Sequence, residues 1–305
     1  MRNTLLAVAV LLGIALILPV LPTPAAPPAA DTDAKGEQPI KALLVLGGCC
    51  HDYAAQQKLL TEGIAARANV EFTIAYDPST KTDHLNPVYE NPDWAKGFDV
   101  IVHDECSADV KDLEVIERIL KPHRAGLPAV VLHCGMHSYR SEGWPDKDTP
   151  WFQFTGLATT GHGPHEPLTI TFTNQEHPIT RGLKGWTTGK EELYNNVRPL
   201  FEGTQALARG KQGDKDTVTV WTNAYGDKKT KVFATTLGHA NELVGDARYL
   251  DLVTRGLLWS VGKLDDQHFK PVKAQARETK PVEAVASARA VDGECGCAEE
   301  QVTSP

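Results

Sequence analysis

The segment AVVLHCGMHSYR, residues 129–140, carries His133, Cys134, Gly135 and His137 directly after a short apolar run. Two imidazoles and a thiol at the end of a buried strand can move protons, ligate a metal or act as a nucleophile. Similar residues recur after other apolar runs. Cys49, Cys50, His51 and Asp52 follow residues 40–46, and His103, Asp104, Glu105 and Cys106 follow 98–102. Further along lie His162, His165 and Glu166, then Glu191, Glu192 and Tyr194, and finally His239 and Asn241.

Four chemistries fit these residues. In the first, His133 and His239 exchange protons with substrate, Glu192 is a base and Tyr194 hydrogen-bonds or stacks on the substrate. His51, His165, Asn241 and Cys134 then contact substrate, while Asp52 orients His51 or caps the helix after it. In the second, His51, His133, His165 and His239, with Cys50, Cys106 or Cys134, hold zinc or a similar divalent ion. Neither H-E-x-x-H nor C-x-x-C occurs, so no local spacing singles out a ligand set. In the third, Cys134 is a nucleophile activated by His239, set against a Cys106–Cys134 disulfide or inert packing. The fourth is non-catalytic: a carbohydrate-binding or complex-forming module using Trp144, Trp151, Phe152 and Trp186, which otherwise fill a core.

The elements that must position these groups can be read from periodicity. Strands are expected at 40–46, 70–76, 98–102 and 129–132, with helices at 54–66 and 108–123 between them. Strands that are apolar throughout, alternating with helices, indicate a doubly wound, mostly parallel α/β sheet. In a flavodoxin-like order the strands at 40–46, 98–102 and 129–132 are neighbours. Cys50, His51, Asp104, Cys106, His133 and Cys134 would then share one rim, where such sheets bind ligands. Beyond residue 141, strands at 168–173, 217–222 and 231–237 and a helix at 246–261 are expected to extend and cover the same sheet. The Glu191–Tyr194 box has a bland alternative as a solvated turn.

The 305 residues are 41% hydrophobic and 23% charged, an ordinary globular composition. With a net charge of −8 and no basic block, a nucleic-acid partner is not expected. Residues 5–18 are almost purely apolar after Arg2, and a Pro/Ala-rich flank follows. This has the layout of a secretory signal over 1–30, which would make the protein periplasmic or extracellular; uncleaved, it would be a membrane anchor. A linker is expected at 31–38, a domain at 39–263 and a disordered tail at 264–305, whose Cys295-Gly-Cys297 pair is its one chemical feature. The partners expected are a small-molecule substrate and, as an open option, a second copy of the chain.

Several segments together carry a family resemblance: LLVLGGCCHDY, LHCGMHSYR, GHGPHEPL, the HPIT-RGL stretch, EELY and KVFATTLGHAN. In their order over residues 40–263 they resemble the ThuA-like (trehalose utilisation) family, related in fold to class I glutamine amidotransferases. The resemblance implies a flavodoxin-like sheet and a link to sugar metabolism, with a small carbohydrate, especially an oxidised 3-keto sugar, as substrate; the reaction expected is hydrolysis or elimination. The family usually has an acidic residue before the Glu of the box, often Asp, where this chain has Glu191. Cys134 resembles the amidotransferase nucleophile position but lacks the G-x-C-x-G elbow, and His239 resembles the amidotransferase histidine. Glutaminase chemistry is therefore not expected.

Overall fold

The computed structural model describes residues 38–196 and 200–271. The expected signal segment and the Cys295-Gly-Cys297 pair lie outside the described residues.

A nine-stranded sheet organises the chain, in the order β2-β1-β3-β4-β11-β10-β9-β6-β7. Its first half is β1 (Ile40–Gly48), β2 (Val70–Asp77), β3 (Val100–Cys106) and β4 (Ala129–Leu132), all paired in parallel. The helices α1 (Tyr53–Ala65) and α2 (Leu113–Arg124) make the crossovers. Parallel pairing requires such crossovers, and it explains why β1, β3 and β4 are apolar on both faces. The chain then runs through a short helix α3 (Pro150–Thr155) into β5 (Thr159–His162), β6 (Glu166–Phe172), β7 (Trp186–Glu191) and β8 (Tyr194–Asn196). β5 and β8 form a separate antiparallel pair. β9 (Thr204–Gln212), β10 (Lys215–Tyr225) and β11 (Thr230–Thr235) return to the main sheet, β11 lying parallel to β4. The short α4 (Asn241–Val244) and the long α5 (Ala247–Ser260) close the described fold.

The expected order holds: β1, β3 and β4 are neighbours. Alternation along β3 sends successive side chains to opposite faces. Val100, Val102 and Cys106 enter one buried cluster with Leu44, Leu46, Val253 and Leu257. Ile101 enters the other, with Val45, Val131, Trp151 and Phe154. Each fully buried Leu or Val contributes roughly 1.5–3 kcal/mol by leaving water. On the same face as Ile101, His103 and Glu105 form a buried polar knot instead of a site wall. Glu105 Oε1 accepts from the hydroxyls of Tyr89 and Tyr139 at 2.7 and 2.9 Å and lies 3.0 Å from His103 Nδ1. Burial pushes the Glu105 carboxyl up, but His103 and the Tyr89 hydroxyl outweigh it and leave it below its ordinary value.

Some expectations need correction. α2 begins at Leu113 and not near 108, because the Asp112 side chain caps it by accepting from the amides of Glu114 and Val115. β5, β7, β8 and β9 were not foreseen; they are short or alternate weakly. Ordered packing also passes Lys263, where the tail was expected to begin: Phe269 is buried in the core and Lys270 N donates to the Arg67 carbonyl. No described helix is long and apolar enough to cross a membrane.

Candidate metal centre

Four chain turns at one end of the sheet deliver the site. The first follows β1. Gly48 has φ +94°, and a Cβ there would lie 2.2 Å from the Cys106 carbonyl oxygen, so only glycine lets β1 pass this close to β3. Asp52 then caps α1, accepting from Ala55 N at 3.1 Å, and His51 is left on the turn. The second turn follows β4. Its strained residue is His133, at φ +38°, a backbone region that a non-glycine residue occupies only when its surroundings impose it. The third follows β11, where Gly238 at φ +130° precedes His239. The fourth lies where β7 and β5 end, with Glu192 just past β7, His162 the last residue of β5 and His165 in the loop that leads to β6.

These turns are tied to each other. The Gln56 side chain donates to the His239 carbonyl at 3.0 Å, and Asn241 Nδ2 donates to Asp52 Oδ2 at 2.9 Å. Glu191, buried, accepts from the amide of Glu192 at 3.1 Å, of His239 at 3.2 Å and of Gly238 at 3.5 Å. One carboxylate thereby fixes the turn bearing His239 against the end of β7 and Glu192 beyond it. Gly163 N donates to the Leu193 carbonyl at 2.8 Å, binding the His162–His165 loop to the residue after Glu192.

The result is a gathering of imidazoles around Glu192. His133 Nε2 lies 3.3 Å from Oε2; His165 Nε2, His239 Nδ1 and His162 Nε2 lie 2.8, 3.0 and 3.4 Å from Oε1. The His51 ring packs 4.6 Å from that of His133 and 5.0 Å from that of His239, centroid to centroid. Yet His133 Nε2, His239 Nδ1 and both nitrogens of His51 are buried without a hydrogen-bond partner. The close approaches to Glu192 by His133 and His239 are thus short in distance but not aligned as hydrogen bonds. Buried polar atoms normally find partners, so convergent, unaligned nitrogens need another explanation. One ligand atom each from His51, His133, Glu192 and His239 lie within 4.8 Å of one another, as donors to a single divalent ion do. The donor set, imidazole with one carboxylate, suits zinc and other first-row ions.

Electrostatics agree with a site built around negative charge on Glu192. Burial opposes ionisation of Glu192, but His133 and His239 outweigh it and hold the carboxyl far below its ordinary range. Burial likewise opposes charge on His133, yet Glu192, then Glu191 and the Thr236 carbonyl, raise it to about 9. His51 is pushed well down by burial and by the neighbouring His133 and His239, which favours the neutral ring with one nitrogen lone pair to donate. Asp104 lies buried beneath, its carboxyl raised well above its usual value by burial. A cavity of about 480 Å³ adjoins the cluster, lined by His165, His239, Lys190, Glu242, Leu243 and Asp246 among others.

Of the residues singled out from the sequence, His51, His133, His165, His239 and Glu192 meet here. Asp52 is engaged as the α1 cap and by Asn241, so these two lock turns together and neither reaches the cluster's nitrogens through a described bond. Tyr194 is buried, with one face covered by His137 at 4.0 Å, and so is closed to a stacking sugar. Glu191, Glu192 and Tyr194 are all buried, against the alternative of a solvated turn. Cys106 and Cys134 are buried and not joined in a disulfide, which decides between the two alternatives to a nucleophile in favour of packing; among the described residues a disulfide joins Cys49 to Cys50. Cys134 sits in the apolar cluster with Cys49, Tyr53 and Cys106. Trp151 and Phe152 fill the core. The sequence reading missed His162 as a partner of Glu192 and Glu191 as the brace; a G-H-G-P-H run pinned by glycine and proline was the available signal for the first.

The ThuA family profile, described as trehalose utilisation, matches residues 41–260. No curated protein matches. A ThuA-like protein from Parabacteroides merdae shares the fold at a TM-score of 0.56 and 18% identity, over 74% of this chain and 92% of that one. Another from Bacteroides uniformis gives 0.54 at 16% identity, over 79% and 98%. A glutamine amidotransferase from Thermotoga maritima is more distant, at 0.40 and 9% identity over 73% and 83%. A mixed α/β fold with a large central sheet, parallel from β2 through β1, β3 and β4 to β11, and a family match over most of the chain lead to one statement: this protein belongs to the ThuA (trehalose utilisation) family.

Proposed function

We propose that the protein is a metal-dependent enzyme acting on an oxidised carbohydrate, with His51, His133, His239 and Glu192 as the ligands. The observation that carries this reading is the set of buried imidazole nitrogens that converge beside Glu192 without hydrogen-bond alignment, at the wall of a cavity large enough for a disaccharide. A bound divalent ion would supply a Lewis acid for a sugar carbonyl. The residues do the rest. Glu192 serves as ligand in place of the base role expected from sequence, because a carboxylate held so far below its ordinary range accepts protons poorly. Lys190, Glu242 and Asp246 line the cavity outside the cluster. Asp246 caps α5 and pairs with Arg248, which leaves Lys190 and Glu242 to bind hydroxyls and exchange protons.

The bond broken follows from the substrate class. In a 3-keto glycoside the hydrogen on C2 is acidified by the adjacent carbonyl, and the C1 substituent is placed to leave. A base removes the C2 proton, the C1–oxygen bond breaks and the departing oxygen takes up a proton; no oxidant is needed. The working compartment in this proposal is outside the cytoplasm, on the strength of the apolar run at 5–18. Incubating chelator-treated and zinc-reloaded protein with 3-keto glycosides tests the reading. Turnover that disappears with the metal, returns with it and is lost in Glu242→Gln supports it. Saturable sugar binding without turnover, indifferent to chelator, makes the protein a binding module instead.

A further inference from the structure

We propose that the centre is dinuclear, with Glu192 bridging the first ion to a second held by His162 and His165. This rests on the metal reading above and extends it. His51, His133, His162, His165 and His239 with Glu192 offer five imidazoles and a carboxylate, more donors than one four-coordinate ion takes. They divide into two groups that share only Glu192. Ligand atoms of His51, His133, Glu192 and His239 lie within 4.8 Å of one another, and so do those of His162, His165 and Glu192.

The second group has the features of a built site. His162 Nδ1 lies 2.9 Å from the Gly163 carbonyl and donates to it, so its Nε2 turns a lone pair toward Glu192 Oε1, 3.4 Å away. His133 is arranged in the same way, with Nδ1 donating to the Thr236 carbonyl at 2.6 Å and Nε2 facing Oε2. A ligating histidine whose other nitrogen donates to a backbone carbonyl is the usual outer support of a metal site. The loop is held too: Gln212 Nε2 donates to the Pro164 carbonyl at 2.9 Å, and Gly163 N to the Leu193 carbonyl. Glu192 Oε2 faces His133, and Oε1 faces His162, His165 and His239, so this one carboxylate is shared by both histidine groups and can bridge them. Side-chain exposure of 20% for His162 and 50% for His165, against 1% for His133, makes the second position the more open and the weaker. It also lies against the cavity, since His165 is part of its wall. Paired ions a few ångströms apart clamp two oxygens of one substrate, and a keto group beside a hydroxyl offers such a pair.

The test is metal stoichiometry on the full chain carrying Cys295→Ser and Cys297→Ser, so that the tail thiols add no ligands. Stripped protein is titrated with Co2+ and with Zn2+, and bound metal is counted after desalting and by calorimetry. Two equivalents are expected, the second weaker by at least tenfold, with an exchange-coupled Co2+ signal at full loading. His162→Ala/His165→Ala is expected to keep the tight equivalent and lose the weak one and the coupling. One equivalent in the parent overturns the second site and leaves the first standing. None overturns the reading beneath it. Two equivalents that survive the double substitution place the second ion elsewhere and overturn the assignment. The parent titration decides even if the double variant unfolds.

Discussion

His133 Nδ1 lies 2.6 Å from the carbonyl oxygen of Thr236, and this contact decides which nitrogen of His133 faces Glu192. A carbonyl only accepts, so Nδ1 carries the hydrogen and Nε2 is directed at the carboxylate. Thr236 follows β11 and His133 follows β4, two adjacent parallel strands. Sheet register thus sets the tautomer of a group far away in sequence. Replacing His133 with Ala is expected to lower metal affinity by more than about 100-fold, beyond what loss of an outer support costs. Calorimetric titration of stripped protein measures it, and near-normal affinity would remove His133 from the ligand set.

Glu191 should behave as a support rather than a ligand. Its buried carboxylate accepts from the amides of Glu192, Gly238 and His239. In Glu191→Ala those donors lose their acceptor, at about 1–3 kcal/mol of stability, and metal affinity falls roughly 10- to 100-fold as His239 loosens. Glu191→Gln keeps one acceptor oxygen and should recover part of both. Urea unfolding with a parallel metal titration checks this; equal losses in the two variants would mean that the charge, not the bonds, matters.

Stability without metal should fall on the alkaline side. The folded pKa of His133, about 9, stands above its ordinary 6.5, so the folded state holds its proton more tightly than the unfolded one. That contribution is complete below pH 6.5 and is lost as pH rises through about 9, a change on the order of 3 kcal/mol. Metal binding must expel the same proton, so affinity should rise with pH up to about 9. Urea melts at pH 6.5, 8 and 9.5 with chelator read the first effect, and calorimetry in buffers of different ionisation enthalpy reads the second. A flat profile in both would contradict a His133–Glu192 ion pair in the metal-free protein.

His123 should act with the opposite sign. It is fully buried, its Nδ1 donates to the Leu127 carbonyl, and burial followed by His103 lowers its pKa to about 3. Neutral when folded and protonated when unfolded, it contributes stability that is present above pH 6.5 and lost as pH falls toward 3, at up to about 1.4 kcal/mol per pH unit. His123→Asn can keep the bond to Leu127 without the titration. Its stability between pH 6 and 4 should decline less steeply than that of the parent, and an unchanged slope would assign the acid sensitivity to other groups.

How much of this was legible beforehand depended on the range of the interaction. β1, β3 and β4 are apolar runs ending in glycine or histidine, so local pattern and topology together gave their adjacency and brought His51 near His133. The split of β3 was also implicit in its period of two, which sends Cys106 to one face and His103 with Glu105 to the other. What pattern could not carry was pairing between distant edge strands. Nothing in EELY reveals that Glu191 will meet the amide of His239, because that depends on how β7 and the turn after β11 pack. His162 was passed over for the same reason: only the β5–β8 pairing, His162 opposite Tyr194, turns it toward Glu192.

The central claim is an ion held by nitrogen and carboxylate oxygen at Glu192, and zinc K-edge X-ray absorption on the zinc-loaded protein addresses it most directly. The account predicts a first shell of nitrogen and oxygen at about 2.0–2.1 Å with outer-shell imidazole scattering and no sulfur near 2.3 Å. A sulfur shell, which would place the ion on cysteine thiolates and away from Glu192, or a folded protein that takes up no zinc, would contradict it.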